Sequence, residues 1–288
     1  MKLFIPGPVD VRKEILNEMS KQMINHRGKE FAHLLEGLQK KLQLLFMTKN
    51  TVLLAASSAT GIMEAAVRNC IKTRCLSLCN GGFSDKWHEI ALLNGKEADK
   101  IQYEWGKAVK PEDVDKALAT GKYDAVTLVH NESSTGVMNP LPQIAKVLRK
   151  YPSVVFLVDA VSSLGAVSIP VDNLGIDVCL AGVQKALAVP PGLTVFSVSE
   201  KALECSRVVQ NKGYYFDFLV MMDYFMKLQP ITTPPISQIF ALDMQLTDIL
   251  KNRLEHRFEH HEQLAALVMS WARKHFALFA EHGFESKT

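Results

Sequence analysis

The chain has 288 residues, of which 48% are hydrophobic and 22% are charged, and its net charge is +3. This composition is typical of a globular protein with one large core or two modest ones, and the interspersed charges argue against nucleic acid as a partner. No apolar run is long enough to span a bilayer, and the start of the chain is too short and too rich in proline for a signal peptide, so we expect no membrane partner.

The predicted elements begin with an extended arm at residues 1–9, in which two prolines restrict the backbone. A helix is predicted from Asp10 to about Met23, and an amphipathic helix follows, with apolar residues at helical spacing from Phe31 to Leu45. Between the two helices, Asn25-His-Arg27 either approaches the mouth of a site or forms a capped helix junction.

Strand-like and helical patterns alternate from residue 51 onward. The predicted strands are 51–55, 74–79, 100–104, 125–130, 154–158, 178–180 and 193–198. The predicted helices between them are 60–71, 84–93, 111–119 and 141–150. Several of the strands are continuous apolar runs, which suit a sheet covered on both faces. This alternation predicts an α/β fold, a three-layer α/β/α sandwich with a mostly parallel central sheet.

A long charged helix is predicted near residues 251–274. Its charged and imidazole side chains are Arg253, His256, Arg257, His260 and His261. We interpret the three histidines as part of a solvated helix face rather than as a metal site, because the far side of a surface helix is ordinarily polar.

Five cysteines are present: Cys70, Cys75, Cys79, Cys179 and Cys205. Their number is odd and none forms Cys-x-x-Cys, which favours a reduced, cytoplasmic protein over a disulfide framework. The first three lie close together, and we interpret them as buried small side chains. No histidines lie at ligand spacing beside them, so we expect no metal site.

A lone lysine, Lys185, lies among glycine, glutamine and apolar residues at 181–187, between two predicted strands. Burial of an ammonium group lowers its pKa and frees a nucleophilic amine. Lysines of this kind form Schiff bases with carbonyl compounds, above all with pyridoxal phosphate (PLP). Taken alone, the stretch is more often a surface loop between strands.

Ligands of an α/β sheet bind at the carboxyl ends of its strands, so the residues that follow each strand are candidates. After the first strand, Ser58, Ala59 and Thr60 begin a helix whose N–H groups could bind a phosphate, although an ordinary N-cap explains them as well. After the second strand, Phe83 follows a glycine turn and could stack on a planar ring. Asp159 ends an apolar strand, where its carboxylate needs a cationic partner such as a protonated pyridine nitrogen.

A dense polar run at 130–136 follows a further strand. Together, an anion-binding helix start, an aromatic ring, a buried aspartate and an apolar lysine at successive strand ends match what PLP needs. Neither a G-x-G-x-x-G sequence nor a Walker A sequence is present, which disfavours a nucleotide-binding dehydrogenase.

Five stretches also carry a family resemblance over essentially the whole chain. They are Ile5-Pro-Gly-Pro8, Asn131-Glu-Ser-Ser-Thr-Gly-Val137, Val158-Asp-Ala-Val-Ser-Ser-Leu-Gly165, Gln184-Lys-Ala-Leu187 with Pro190-Pro-Gly192, and Thr232-Thr-Pro-Pro-Ile236. In these stretches the chain resembles the class V, fold-type I, PLP-dependent aminotransferases of the alanine–glyoxylate and serine–pyruvate branch.

The resemblance implies a role for each residue that would touch the PLP ring. Lys185 would form the Schiff base with PLP and later move the substrate's Cα proton. Asp159 would keep the pyridine nitrogen protonated. Phe83, where close relatives often have tryptophan, would stack on the ring, and Ser133 would contact the region of the phenolic oxygen.

The resemblance also implies a phosphate site and a homodimer with shared active sites. Ser58, Ala59, Thr60 and Gln184 would bind the phosphate, and Thr233 of one subunit would reach the phosphate held by the other. A tyrosine that some relatives place three residues before this threonine is Pro230 here. The implied reaction is ping-pong transamination of a small amino acid, alanine or serine, with a 2-oxo acid, glyoxylate or pyruvate.

Relatives of this branch carry a small C-terminal domain on the order of a hundred residues. We therefore predict a PLP-binding large domain with its N-terminal arm at 1–250, and only the first helix of an incomplete small domain at 251–288. In the family, the arginine that clamps the substrate carboxylate belongs to the remainder of that domain. The chain is accordingly expected to bind PLP and to transaminate weakly.

Two alternatives share the fold. A PLP-dependent lyase or cysteine desulfurase is disfavoured because those enzymes usually have histidine where this chain has Gln184. A non-catalytic binding or assembly protein is disfavoured because it has no physical need of an apolar lysine at position 185.

Overall fold

The computed structural model describes residues 2–288. Within these residues, nine strands form two sheets. The strands are β1 (Thr51–Ala55), β2 (Arg74–Cys79), β3 (Glu97–Gln102), β4 (Ala125–Val129), β5 (Asn131–Glu132), β6 (Val137–Met138), β7 (Val155–Asp159), β8 (Val178–Gly182) and β9 (Thr194–Val198). The central sheet has the order β1-β9-β8-β7-β4-β2-β3, and β5 pairs with β6 in a small second sheet.

Six strands of the central sheet run in one direction, and β9 runs in the other. The pairs β2–β3, β2–β4, β4–β7 and β7–β8 are parallel, whereas β9 is antiparallel to both β1 and β8. The predicted mostly parallel sheet is therefore confirmed. Because β1 and β8 both oppose β9, their carboxyl ends lie at the same edge of the sheet as those of β2, β4 and β7.

Helices cover both faces of this sheet. They are α1 (Lys13–Glu18), α2 (Lys29–Phe46), α3 (Ala59–Cys70), α4 (Gly82–Leu93), α5 (Pro111–Leu118), α6 (Leu141–Leu148), α7 (Val171–Leu174), α8 (Glu200–Val208), α9 (Phe218–Phe225), α10 (Ile236–Lys251) and α11 (Leu254–His275). In β7, Val155 and Leu157 belong to one hydrophobic core, and Phe156 and Val158 belong to the other. The two cores on opposite faces confirm the predicted three-layer sandwich.

Two predicted elements have different bounds. The helix expected from Asp10 is the six-residue α1, because the Asp10 carboxylate accepts a hydrogen bond from Leu3 N at 3.3 Å instead of capping the helix. The strand expected at 100–104 is β3, which begins at Glu97. The first residues of β3 are polar, which obscured the apolar pattern of the strand. Two of them, Glu97 and Asp99, form ion pairs with Arg74 on the neighbouring strand.

The C-terminal segment lies against the small second sheet. Residues 252–253 separate α10 from α11, close to the predicted domain boundary at 250. Beyond α11, Met138 N donates to Phe284 O at 2.8 Å, and Ser286 N donates to Gly136 O at 2.7 Å. The tail at 276–288 therefore lies beside β6. The division into two domains stays a prediction.

All five cysteines are free and buried. This confirms the interpretation of Cys70, Cys75 and Cys79 as buried small side chains. Across residues 2–288, no cluster of three or more His, Cys, Asp or Glu side chains is arranged to hold a metal ion. In the same part of the chain, no helix is both long enough and apolar enough to cross a membrane.

Candidate active site

A cleft of about 380 Å³ opens at the carboxyl edge of the central sheet. Its walls come from the N-terminal arm, from the loops that follow β4, β7 and β8, and from the C-terminal segment. Residues from these parts include Pro6, Ser133, Ser162, Lys185, His261 and Thr288. Two residues predicted from the sequence, Lys185 and Ser133, thus share one cleft.

Lys185 lies in the loop between β8 and β9. Its Nζ donates a hydrogen bond to Pro6 O at 3.1 Å, and Val9 N donates to Gln184 O at 3.2 Å, so the N-terminal arm lies along this loop. Burial lowers the pKa of Lys185, and the nearby carboxylate of Asp159 partly offsets that effect. The amine therefore loses its proton more readily than an exposed lysine does, as its apolar surroundings predicted.

Asp159 is the last residue of β7, and its side chain is 4% exposed. Its Oδ1 accepts a hydrogen bond from Val161 N at 2.7 Å, the one hydrogen bond of this carboxylate within residues 2–288. Burial raises the pKa of Asp159 to about 7, and the Glu132 carboxylate acts in the same direction. A buried carboxylate with so few partners is costly, and a cationic ring nitrogen would supply the missing partner.

Glu132, which sequence reasoning did not select, lies fully buried against the first turn of α4. Its Oε2 accepts from Ser84 N at 2.9 Å and from Ser84 Oγ at 3.0 Å, and its Oε1 accepts from Ser134 Oγ at 2.7 Å. A negative charge is favourable at a helix N-terminus. These bonds fix the turn that carries Phe83, whose ring is 37% exposed and therefore available for stacking.

His130 and Ser163 brace the backbone at Asp159. His130 N donates to Asp159 O at 2.9 Å, and His130 Nδ1 lies 2.9 Å from Ser163 Oγ. Burial lowers the pKa of His130 to about 4, so this imidazole is neutral near pH 7. The pair supports the strand end without adding a charge beside Asp159.

The predicted phosphate site lies at the start of α3, where β1 ends. Ser58 is the N-cap residue, and its side chain makes no capping hydrogen bond. Ser58 and Thr60 are exposed, and Ala59 is buried. The first N–H groups of a helix have no partner within the helix and attract anions. Since β9 alone separates β1 from β8, the ends of these two strands lie about 10 Å apart across the sheet, and α3 begins four residues after β1 ends.

Asn131 was not selected as a site residue from the sequence, although it lies in the polar run after β4. Its side chain is 5% exposed and lines the cleft. Asn131 Nδ2 donates to Thr288 Oγ1 at 3.1 Å, whereas Oδ1 is buried with no hydrogen-bond partner in the part of the chain that the structure describes. Because buried polar atoms are nearly always paired, this oxygen indicates a missing polar group.

Thr233 does not line the cleft with Lys185. It is exposed, and the neighbouring residues Pro230, Thr232 and Pro234 line a separate, mostly apolar cavity together with Tyr215. The family resemblance assigned Thr233 to the site of a second subunit, and that assignment stays a prediction.

The segment Asn25-His-Arg27 forms a turn before α2, whose N-cap residue, Gly28, makes no side-chain capping hydrogen bond. Asn25 Oδ1 accepts a hydrogen bond from Arg27 N at 3.0 Å, and Arg27 Nη1 donates to Gln229 Oε1 at 3.1 Å. The guanidinium also lies over the ring of Tyr224, 5.7 Å from its centroid. None of these contacts belongs to the cleft that holds Lys185, so the alternative of a residue at the site mouth is not supported.

The expected solvated face is wrong for one of the three histidines, His261, and Arg257 on the same helix also points inward. Arg257 Nε donates to Gly165 O, and Arg257 Nη2 donates to Ala186 O, both at 2.6 Å. His261, one helical turn further, lines the cleft. Burial lowers the pKa of both side chains. His256 and His260 are exposed as expected, and Arg253 is also exposed.

Comparison with known proteins identifies the family. The family model described as Aminotransferase class-V matches residues 10–273. The chain belongs to the class-V aminotransferases. It is therefore a PLP-dependent aminotransferase, and its cofactor is PLP.

Individual relatives agree with this family assignment. The chain is 40% identical over 270 residues to an uncharacterised aminotransferase of Methanocaldococcus jannaschii, covering 91% of this chain and 69% of that protein. It is 30% identical over 307 residues to a serine–glyoxylate aminotransferase of Methylorubrum extorquens, covering 99% and 75%. The crystal structure of an alanine–glyoxylate aminotransferase from Nostoc sp. matches with a TM-score of 0.92 at 26% identity, covering 98% and 77%.

The residues present fit PLP. Asp159 lacks a cationic partner, Asn131 Oδ1 lacks a hydrogen-bond partner, and the amine of Lys185 faces the same cleft. PLP carries a basic ring nitrogen, a phenolic oxygen and an aldehyde, which are the chemical counterparts of these three groups. Its phosphate suits the helix start at Ser58.

Proposed function

We propose that this aminotransferase moves the amino group of a small amino acid, alanine or serine, to a 2-oxo acid, glyoxylate or pyruvate, by a ping-pong reaction. The observation that carries the proposal is the placement of Lys185, whose amine has a lowered pKa, near the buried carboxylate of Asp159. Two relatives that are each 30% identical are named as serine–glyoxylate and L-aspartate–glyoxylate aminotransferases, which supports glyoxylate as the acceptor.

Each residue around the ring has one role in this proposal. When bound, PLP supplies an aldehyde that condenses with amines and a ring that takes up the electron pair left at the substrate's Cα. Asp159 holds the proton on the ring nitrogen. Lys185 holds the cofactor, and its amine, once free, takes the proton from Cα. Phe83 covers the ring face, and Ser133 and Asn131 bind the phenolic oxygen.

The phosphate is assigned to the start of α3. The N–H groups at Ala59 and Thr60 and the hydroxyl of Ser58 bind it, with Gln184 beside them. We propose a homodimer in which Thr233 of one protomer reaches the phosphate held by the other. Light scattering should then give twice the chain mass, and Thr233→Ala should weaken PLP binding. A monomer with unchanged affinity would contradict this arrangement.

The test of the proposed reaction is the visible absorbance of the purified chain with added PLP. We expect a band that requires Lys185, is lost on addition of alanine or serine, and returns on addition of glyoxylate or pyruvate. Lys185→Ala should abolish the band. Lys40→Ala, which removes an exposed lysine paired with Glu36, should leave it intact. A band that ignores both amino acids would overturn the proposed substrates, and a band that persists in Lys185→Ala would overturn the role of Lys185.

The cysteine desulfurase alternative has no support in the cleft. A desulfurase requires a reactive thiolate, and reactive cysteines lie in exposed, electropositive surroundings. Burial raises the pKa of Cys75 and of Cys79 to about 12, and it also raises the pKa of Cys179. No cysteine among residues 2–288 lines the cleft that holds Lys185.

A further inference from the structure

We propose that Arg257 is a positioning residue that ties the loop of Lys185 to the turn that follows Asp159. The inference rests on the proposed role of Lys185 and adds a residue on α11 to the machinery of the site. Arg257 touches neither reacting atom. It acts through the backbone of the two segments that carry Lys185 and Asp159.

The contact joins three segments that are distant in the chain. Arg257 Nη2 donates to the carbonyl oxygen of Ala186, the residue after Lys185, at 2.6 Å. Arg257 Nε donates to the carbonyl oxygen of Gly165, in the turn after β7, also at 2.6 Å. A planar guanidinium holds two acceptors in a fixed relative position, which a single ammonium group cannot do.

The side chain of Arg257 is half-buried, and it lacks the acidic partner that an arginine withdrawn from water ordinarily has. No carboxylate lies within ion-pair distance of it in the part of the chain that the structure describes, and its side-chain bonds go to the two carbonyl oxygens. Burial lowers its pKa, and the positive charge of Arg12 acts in the same direction. Withdrawing an unpaired cation from water is unfavourable. An apolar side chain at position 257 would therefore attach α11 to these loops at a smaller cost in free energy. The two oriented hydrogen bonds are what arginine adds.

The two segments that Arg257 joins have constrained backbones. Gly165 has a φ of +83°, and a Cβ at this position would lie 3.2 Å from Leu187 Cδ2. Ala188 has a φ of 49°, in the left-handed region that residues with a Cβ seldom adopt. Such conformations persist only where neighbouring groups stabilise them. Arg257 stabilises the loop of Lys185 through its hydrogen bond to Ala186 O.

Loss of Arg257 should change the environment of Lys185 in one direction. A loosened loop admits water, and hydration of the ammonium raises the pKa of Lys185 toward its ordinary value. Removal of a neighbouring positive charge acts with the same sign. The other ionisable groups near Lys185 are the Asp159 carboxylate and His261. The charge of Arg257 contributes to the lowered pKa of His261, so the substitution raises that pKa. Because the ordinary pKa of histidine lies about four units below that of lysine, His261 stays largely neutral where Lys185 titrates.

The experiment measures the amine of Lys185 in the cofactor-free chain. Brief labelling with acetic anhydride over a series of pH values, followed by mass spectrometry, reports the titration of that single lysine. In Arg257→Gln, we expect the midpoint to rise by roughly one pH unit. Arg257→Lys keeps the charge but loses the paired hydrogen bonds, so it should show a smaller rise. Arg253→Ala, at the exposed start of α11, is the matched control and should show none.

An unchanged Lys185 midpoint in both Arg257 variants would overturn the inference. If Arg257→Gln does not fold, the test rests on Arg257→Lys. A raised Lys185 midpoint in that variant supports the positioning role of Arg257, and an unchanged midpoint overturns it. The labelling involves no PLP and no substrate. Its failure is therefore distinct from failure of the proposed reaction, which the absorbance of Lys185→Ala tests separately.

Discussion

Replacing Asp159 with asparagine should stabilise the cofactor-free chain even though it removes a residue of the site. The carboxylate is 4% exposed, and burial raises its pKa from 3.8 to about 7. Between these two values the folded chain binds the proton and the unfolded chain releases it, so the free energy of unfolding falls as the pH rises. The destabilisation caused by ionised Asp159 is absent below its pKa in the unfolded chain, and it is complete above its pKa in the folded chain. Asparagine has nearly the same shape and stays neutral throughout.

The size of the effect follows from the two pKa values of Asp159. Each tenfold change in proton affinity corresponds to about 1.36 kcal/mol. Above the pKa of about 7, ionisation of Asp159 therefore lowers the free energy of unfolding by about 4 kcal/mol. About 3 kcal/mol of this loss develops between pH 5 and pH 8.5. The stability difference between Asp159→Asn and the original chain should grow by that amount over this range.

The assay is urea denaturation of the cofactor-free proteins at pH 5 and pH 8.5. The control is Asp115→Asn. The Asp115 carboxylate accepts hydrogen bonds from Lys150 Nζ at 2.6 Å and from Tyr151 Oη at 2.7 Å, and these bonds lower its pKa. Because Asp115 is ionised at both pH values, its replacement should change the stability equally at both. If the stability difference for Asp159→Asn does not grow with pH, the Asp159 carboxylate is not shielded from water in the folded chain.

Three further substitutions test the walls of the cleft. Gly7→Ala places a Cβ 2.5 Å from Lys185 Cδ at a φ of +141°, so it should release the N-terminal arm and speed its limited proteolysis; an unchanged cleavage rate would refute the contact. Glu132→Gln loses a charged acceptor for Ser84 and should lower the free energy of unfolding in urea by about 1–3 kcal/mol, whereas no loss would show that the network is dispensable. Phe83→Ala should weaken PLP binding in a fluorescence titration and Phe83→Trp should preserve it, while equal affinities would argue against stacking.

The centre of the site could be predicted from sequence because it depends on strand ends. Asp159 and Lys185 each follow an apolar run, and the carboxyl ends of parallel strands meet at one edge of a sheet. The polar run at 130–136 was harder to interpret, because its side chains point in different directions. Asn131 faces the cleft, whereas Glu132 faces α4, and this alternation depends on the short strand β5.

The sequence by itself determined the alternation of strands and helices, the mostly parallel sheet and the residues that follow each strand, because local periodicity records which face of an element is buried. Only the tertiary structure decided that β9 runs antiparallel, since a continuous apolar run has the same composition in either direction. It also decided that Arg257 and His261 point inward. The two carbonyl oxygens that Arg257 binds lie 92 and 71 residues away in the chain, and a helical pattern carries no record of contacts at that separation.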